Sequence, residues 1–310
     1  MIRYIVWRLI QFPLILAVIY LVTFLLAWVA PGSPFEQSDR AVPPEVKAQL
    51  EKAFYAQNGW QFLSHYPIRF LHGDLGPSMA YFGWSVNDVL AAALPVSVCL
   101  GVVALAIAAF FGSAIGTMAA VKRDGVFDYT SLAVALIGIS LPGFVAASLL
   151  VTIFSDHLHW FPPVGWGHAR QLVLPAIALS LMPLAYIARL SRAAMLDVLG
   201  SDFVRTARAK GLRRSQVIWK HCFRIAMLPV FTYLGPAAAA TLTGSFVVEK
   251  VFSLPGLGEH FVNAVANRDQ TLIIGTVMVY STFLLALNLL VDIGYAFVDP
   301  RIDVTARQGG

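Results

Sequence analysis

Charge is scarce in this chain of 310 residues. Asp, Glu, Lys and Arg together make up 13% of it, while 58% of its residues are hydrophobic and its mean hydropathy is +0.72. A soluble domain carries about a quarter charged residues, so this composition excludes one. Cysteine is almost absent. Cys99 lies in an apolar run and Cys222 in a basic stretch, different levels that predict two structural thiols and no disulfide. Catalytic signatures are missing too. There is no Gly-x-x-x-x-Gly-Lys-Ser/Thr phosphate loop, no His-Glu-x-x-His and no Gly-x-Ser-x-Gly. Gly256-x-Gly258 lacks a third glycine and a preceding strand, and reads as a turn. Ionisable residues deep in the apolar runs are nearly absent. Asp292 is the main exception, and its place near a helix end predicts pairing with a basic neighbour rather than proton transport. With little buried charge and no clear internal repeat, an ion-gradient-driven secondary transporter is disfavoured. An intramembrane enzyme would need a buried catalytic pair, and the pattern offers none.

What the chain has in abundance is apolar runs of about 20 residues, the length that crosses a bilayer as a helix. They predict an all-α integral membrane protein with about six transmembrane helices, near 9–30, 94–121, 129–154, 172–190, 228–248 and 271–297. Arg3 and Arg8 precede the first run, which reads as a retained anchor, and they place the N-terminus in the cytoplasm. Roughly two-thirds of the 22 Lys and Arg fall in the segments this topology puts inside, so both termini are expected to be cytoplasmic. The net charge of +5 follows from that bias and does not point to nucleic acid. Gly112-x-x-x-Gly116 predicts a close helix neighbour, and the small residues 237–244 either close packing or room for a pathway. Leu141-Pro142-Gly143 predicts a kink within the third span. The whole of 1–310 reads as one membrane domain, with an outer segment 31–93 and a core bundle 94–298.

The outer segment is amphipathic. Pro31-Gly32-Ser33-Pro34 ends the first helix, and Pro43-Pro44-Glu45 opens another, which should stop near Asn58-Gly59. Trp60, Phe62, Tyr66, Phe70, Tyr81, Phe82 and Trp84 follow, interleaved with His65, His72 and Asp74. They form either an interfacial aromatic girdle or a lip that receives a partner outside the membrane. A second outer loop, 155–171, holds Asp156, His157, His159 and His168. Without a suitably spaced fourth ligand, these read as interfacial residues rather than a metal site. Glu249-Lys250 is expected to meet the outer surface.

Between two very apolar blocks lies a polar island, Leu199 to Pro229. It carries Arg205, Arg208, Lys210, Arg213, Arg214, Lys220 and Arg224 against a single acidic residue, Asp202, and Gly211 divides it into two helix-like halves. Such a segment belongs on the cytoplasmic face. It is too short to be a domain, so it acts by touching one. Held by two spans, a short helix here could pass a push from a soluble motor to the bundle. The bland alternative is an amphipathic interfacial helix.

Phe203-Val204-Arg205-Thr206-Ala207-Arg208-Ala209-Lys210-Gly211-Leu212, with Leu228-Pro229, resembles the cytoplasmic coupling loop of binding-protein-dependent ABC importer permeases. Arg205-Thr206-Ala207 stands where the general pattern reads Glu-Ala-Ala, so no ion pair through that glutamate is available here. Other stretches are similar to the oligopeptide permease B subunits: Ala30-Pro31-Gly32-Ser33-Pro34-Phe35, Pro43-Pro44-Glu45-Val46, His72-Gly73-Asp74-Leu75-Gly76-Pro77-Ser78, Ser85-Val86-Asn87-Asp88, Phe252 to Gly258, Asn267-Arg268-Asp269 and Asp299-Pro300-Arg301. The resemblance implies a type I ABC importer permease of the bacterial cytoplasmic membrane, with its coupling helix between helices four and five. It implies a second homologous permease subunit, two cytoplasmic ATP-binding subunits and an extracytoplasmic peptide-binding protein. ATP and Mg would be used by the partners, with no cofactor on this chain. Phe203, Arg205, Thr206, Ala207, Arg208, Ala209, Lys210 and Gly211 would dock the ATPase. Asp74, Trp84, Glu249 and Glu259 would serve an outer gate or contact the binding protein. Dipeptide, nickel and glutathione importers are the alternative branches.

Overall fold

The computed structural model describes residues 2–29, 58–79, 81 and 83–298; the side chains of 2–6, 243 and 291–298 are outside it. The helix expected from Pro43, Phe82, the side chain of Asp292 and Asp299-Pro300-Arg301 therefore lie outside the described residues. Among the described residues the structure is helical, with one isolated bridge between Pro77 and Ser85. Four helices are long and apolar enough to cross a membrane, or six crossings if each of two bent pairs counts as one. The chain forms two compact units, residues 1–96 with 255–310, and residues 97–254.

In the first unit, α1 (Ile2–Val29) lies along α11 (Gln270–Val298). At 1.5 Å per residue each exceeds the ~30 Å of bilayer hydrocarbon. The short helix α2 (Gly59–Leu71) is pinned to α1 by aromatic rings. Tyr20 and Phe24 of α1 stack on Tyr66 and Phe62 of α2 at centroid distances of 5.9 and 6.0 Å, and Tyr20 Oη donates to the Leu63 carbonyl at 3.1 Å. Phe62 and Tyr66 are buried in this contact, and Trp60 is exposed. Asn58 starts α2: its side chain accepts from Trp60 N at 3.2 Å. After α2 the chain turns tightly through Gly73 and Gly76, both at positive φ. Asn87 holds the turn from both sides, accepting from Leu75 N at 2.9 Å and donating to the Gly73 carbonyl at 2.6 Å. Ser85 and Asp88 then cap α3 (Val86–Val121) reciprocally. The final elements are α10 (Leu257–Ala266) and α11.

In the second unit the remainder of α3 is followed by α4 (Val126–Ser140) and α5 (Gly143–Leu150), which continues as a wide π-type turn, Val151–His157. α6 (Ala169–Leu199) packs on α4, α5 and α9 (Leu228–Val251). Pro175 and Pro183 sit buried inside α6 without breaking it. Gly112 and Gly116 let α3 approach α6 closely. A Cβ on Gly112 would come within 2.8 Å of the Leu184 carbonyl oxygen, and one on Gly116 would collide with that of Ala188. The spacing thus marks the close helix neighbour it predicts.

The third span differs from expectation. Leu141 and Pro142 are both extended, as a residue before proline and a proline tend to be, and the chain turns there by 108°. Residues 126–157 form a broken span or a re-entrant hairpin rather than a kinked traverse. Between α6 and α9 come α7 (Asp202–Ala209) and α8 (Arg214–Ala226), the latter bent 45° from α9.

Candidate docking site

The basic island folds as a short helix rigidly attached to the longest helix of its unit. α6 ends at Leu199, and only Gly200 and Ser201 separate it from α7. Those two residues are spoken for: Gly200 N donates to the Leu196 carbonyl at 3.2 Å and Ser201 Oγ to that of Val198 at 2.5 Å. α7 has an apolar underside. Val204 is 1% exposed, and it packs with half-buried Ala207 into a cluster containing Met195, Val217, Cys222 and Met227. The i, i+3 spacing of Val204 and Ala207 places both on one face. Phe203, Arg205, Thr206, Arg208, Ala209 and Lys210 are exposed.

Glycine ends the helix for a physical reason. Gly211 has φ +78°, which L side chains rarely adopt. Its N–H donates to the Arg208 carbonyl at 2.9 Å, and Leu212 N to that of Ala207 at 3.3 Å. These two bonds satisfy carbonyls that a helix end leaves orphaned. Beyond the turn, Arg214 Nη2 donates to the Val121 carbonyl at 3.2 Å, fastening α8 to the end of α3. Six of the eight expected docking residues thus share one helix, Lys210 caps it, and Gly211 supplies its stop. Ala207 is the one that faces inward.

One ion pair underlies this region that the sequence reading did not find. Arg192, two turns before the end of α6, grips Asp128 of α4 with both arms of its guanidinium: Nε to Oδ1 at 2.5 Å and Nη2 to Oδ2 at 2.7 Å. The Asp128 side chain is 1% exposed and that of Arg192 23%. Asp124 N adds a third bond to the carboxylate at 3.1 Å. A carboxylate in the first turn of an apolar helix was the signal available, but its partner stands 64 positions away. Beside Arg192, a hollow of about 380 Å³ is lined by Tyr186, Arg189 and Leu132.

The four outer candidates fall into different settings. Asp74 is half-exposed and engaged by Arg69, with Nη2 2.6 Å from Oδ2. It also accepts from Gly76 N at 3.0 Å, so it organises the turn after α2. Trp84 is exposed. Glu259 lies half-buried in the first turn of α10, next to His260. Burial pushes the His260 imidazole below its usual range, and its ring meets Tyr81 edge-on at 5.7 Å. Glu249 departs from expectation: it is fully buried in α9 and not at a surface. A fully buried carboxylate whose role the motif Asn267-Arg268-Asp269 did not reveal is Asp269. It caps α11 by accepting from Leu272 N at 3.0 Å, and it accepts from Ser78 Oγ at 2.5 Å and Thr271 Oγ1 at 2.9 Å. Asp before a long apolar run is a capping signal. Among the described residues no three His, Cys, Asp or Glu side chains converge as metal ligands. An exposed cationic helix seated on a core and joined stiffly to a long helix is suited to receive a partner.

The solved structure of an amino acid ABC transporter with histidines has a chain that superposes with a TM-score of 0.53, covering 68% of this chain and 94% of that one. At 16% identity the likeness shows a shared fold alone. Sequence comparison goes further. Residues 112–304 match the family described as binding-protein-dependent transport system inner membrane component. The chain is 43% identical over 305 residues to the oligopeptide transport system permease protein OppB of Haemophilus influenzae, and 40% over 306 to OppB of Escherichia coli, covering 97% of this chain and 99% of each relative. It is 41% identical over 303 residues to the dipeptide transport system permease protein DppB of Bacillus subtilis, covering 97% of this chain and 98% of that one. The chain belongs to the binding-protein-dependent transport system inner membrane components.

Proposed function

We propose that this chain is one permease subunit of an ATP-driven importer that carries oligopeptides across the bacterial cytoplasmic membrane. Residues 1–310 act as a single permease domain, with 31–93 as the outer segment and 94–298 as the core bundle. A homologous second permease completes the pathway as a heterodimer. An extracytoplasmic binding protein delivers the peptide, and two cytoplasmic ATP-binding subunits dock on the loop 199–229. ATP and Mg are used by those subunits, and this chain binds no cofactor. Both termini lie in the cytoplasm, as the distribution of Lys and Arg favours. Asp74, Trp84 and Glu259 belong to the side that meets the binding protein, and buried Glu249 belongs to the gate.

The observation that carries this reading is α7. Its cationic face is exposed while Val204 seats it on the core, and two residues join it to α6. A push on such a helix moves α6, which packs on three other helices. The test is to extract the chain from its native membrane in mild detergent and identify what travels with it, then repeat with Arg205, Arg208 and Lys210 replaced by Glu. Co-purification of a second permease and an ATP-binding protein is expected, and the triple replacement should strip only the latter. If the chain comes out alone, or the ATP-binding protein ignores the replacement, the docking assignment fails.

Dipeptides are the second reading, favoured by the likeness to the Bacillus subtilis DppB over nearly the whole chain. Competition of labelled uptake by dipeptides and by pentapeptides separates the two.

A further inference from the structure

Asn267-Arg268-Asp269 is a motif that transport, as read above, leaves half unexplained. Asp269 is fully buried against Ser78 and Thr271. Arg268 is different. It stands between α10 and α11 in a left-handed backbone conformation, φ +58°. It is half-buried, and no ion pair joins it to a carboxylate among the described residues. Its side chain borders a groove of about 340 Å³ formed by α1, α10 and α11. The walls are apolar: Leu26 and Ala27 on α1, Val265 on α10, Ile273 and Val277 on α11. Leu26 and Val265 remain exposed there.

The groove's position narrows its occupant. Both α1 and α11 are long and apolar enough to cross a membrane, and Arg268 stands two residues before α11 begins. It therefore sits at the level of lipid headgroups, while Ile273 and Val277 reach about 10 Å further along the helix into the hydrocarbon. A cation with no ion pair among the described residues, at the head of an apolar groove, calls for an anion with a hydrocarbon tail. We propose that this groove binds one anionic phospholipid, its phosphodiester on Arg268 and an acyl chain along Ile273 and Val277.

Native mass spectrometry of the full chain, purified in mild detergent and titrated with dioleoyl phosphatidylglycerol or dioleoyl phosphatidylcholine, tests the assignment. The anionic lipid should bind about tenfold more tightly, the scale of one charge-assisted contact. Arg268→Gln should reduce it to the level of phosphatidylcholine, and Arg268→Lys should retain most of the preference. Val277→Trp, which fills the groove, should weaken both lipids alike. Equal affinity for the two lipids in the unaltered chain would overturn the proposal, as would a preference that survives Arg268→Gln. Full competition by glycerol phosphate would show a site for soluble phosphate and overturn the lipid assignment. If Val277→Trp misfolds, the Gln and Lys variants still decide the matter, because neither changes the groove's shape.

Discussion

Two aspartate–arginine pairs of the second unit behave in opposite ways. Asp128 and Arg192 meet through two bonds of 2.5 and 2.7 Å, with the carboxylate 1% exposed. Asp202 and Arg205, on α7, approach only to 3.4 Å, with side chains 94% and 79% exposed. The residue types are the same, and the surroundings set their roles. In water, an ion pair gains little over two solvated ions. Away from water, each charge needs the other, and losing one strands its partner. The buried pair therefore fixes α4 to α6, and the exposed one leaves a guanidinium available to something outside the chain. The basic island is accordingly not uniform. Arg214 is tied to Val121, whereas Arg205 holds its neighbour loosely.

The largest break in this contrast comes from the buried side. Arg192→Gln leaves Asp128 without its guanidinium, and should cost about 3 kcal/mol. Thermal unfolding in detergent would show it as a clear drop in Tm. Adding Asp128→Asn should recover part of the loss, because the double variant buries no charge. An unchanged Tm for Arg192→Gln would mean the pair carries no structural role.

The seat of α7 comes next. Val204→Ala removes two methyl groups from a side chain that is 1% exposed, a loss of about 2 kcal/mol. All of α7's exposed cations stay in place. Reduced partner binding in a chain whose Tm has fallen would show that the cations work only when seated. Gly211→Ala follows at about 1 kcal/mol. Nothing lies within 4 Å of where its Cβ would stand, so the penalty is the left-handed backbone alone. Gly211→Asn, which tolerates that conformation better, should lose less.

Much of this was readable from sequence, because apolar runs and basic bias are local properties. α1, α3, α6, α9 and α11 stand where the runs placed them, extended by a few residues at their ends. Gly211 was readable as a break because a glycine inside a polar helix pattern has few other uses. What escaped depends on residues distant in sequence. Asp128 and Arg192 have nothing in common until α4 and α6 pack. Glu249 follows Val247-Val248 at the end of an apolar run, so its burial shows only once the rest of its unit surrounds it. Proline behaves differently from one site to another. Pro175 and Pro183 are absorbed into α6, whereas Pro142, preceded by an extended Leu141 and followed by Gly143, turns the chain through 108°. The difference lies in the neighbours: around Pro142 the chain has a glycine to restart from, and around Pro175 and Pro183 it has leucine and alanine, which favour staying helical.

The smallest expected effect on stability sharpens the comparison most. Asp202→Asn and Arg205→Ala should leave Tm unchanged within error, because a 3.4 Å pair so fully solvated holds nothing together. Yet the two should differ in partner binding if α7 is a docking helix. Arg205→Ala removes a cation from the exposed face and should weaken retention of the ATP-binding protein. Asp202→Asn removes the only acidic group of α7 and should leave retention equal or stronger, more so at low salt, where charge acts over longer distances. A fall in Tm for either variant would mean the exposed pair bears load after all, and the contrast with Asp128 and Arg192 would fail. Equal retention for both would separate α7's charge from docking, and leave the exposed apolar side chains of Phe203 on α7 and Leu212 just beyond it as the remaining contacts.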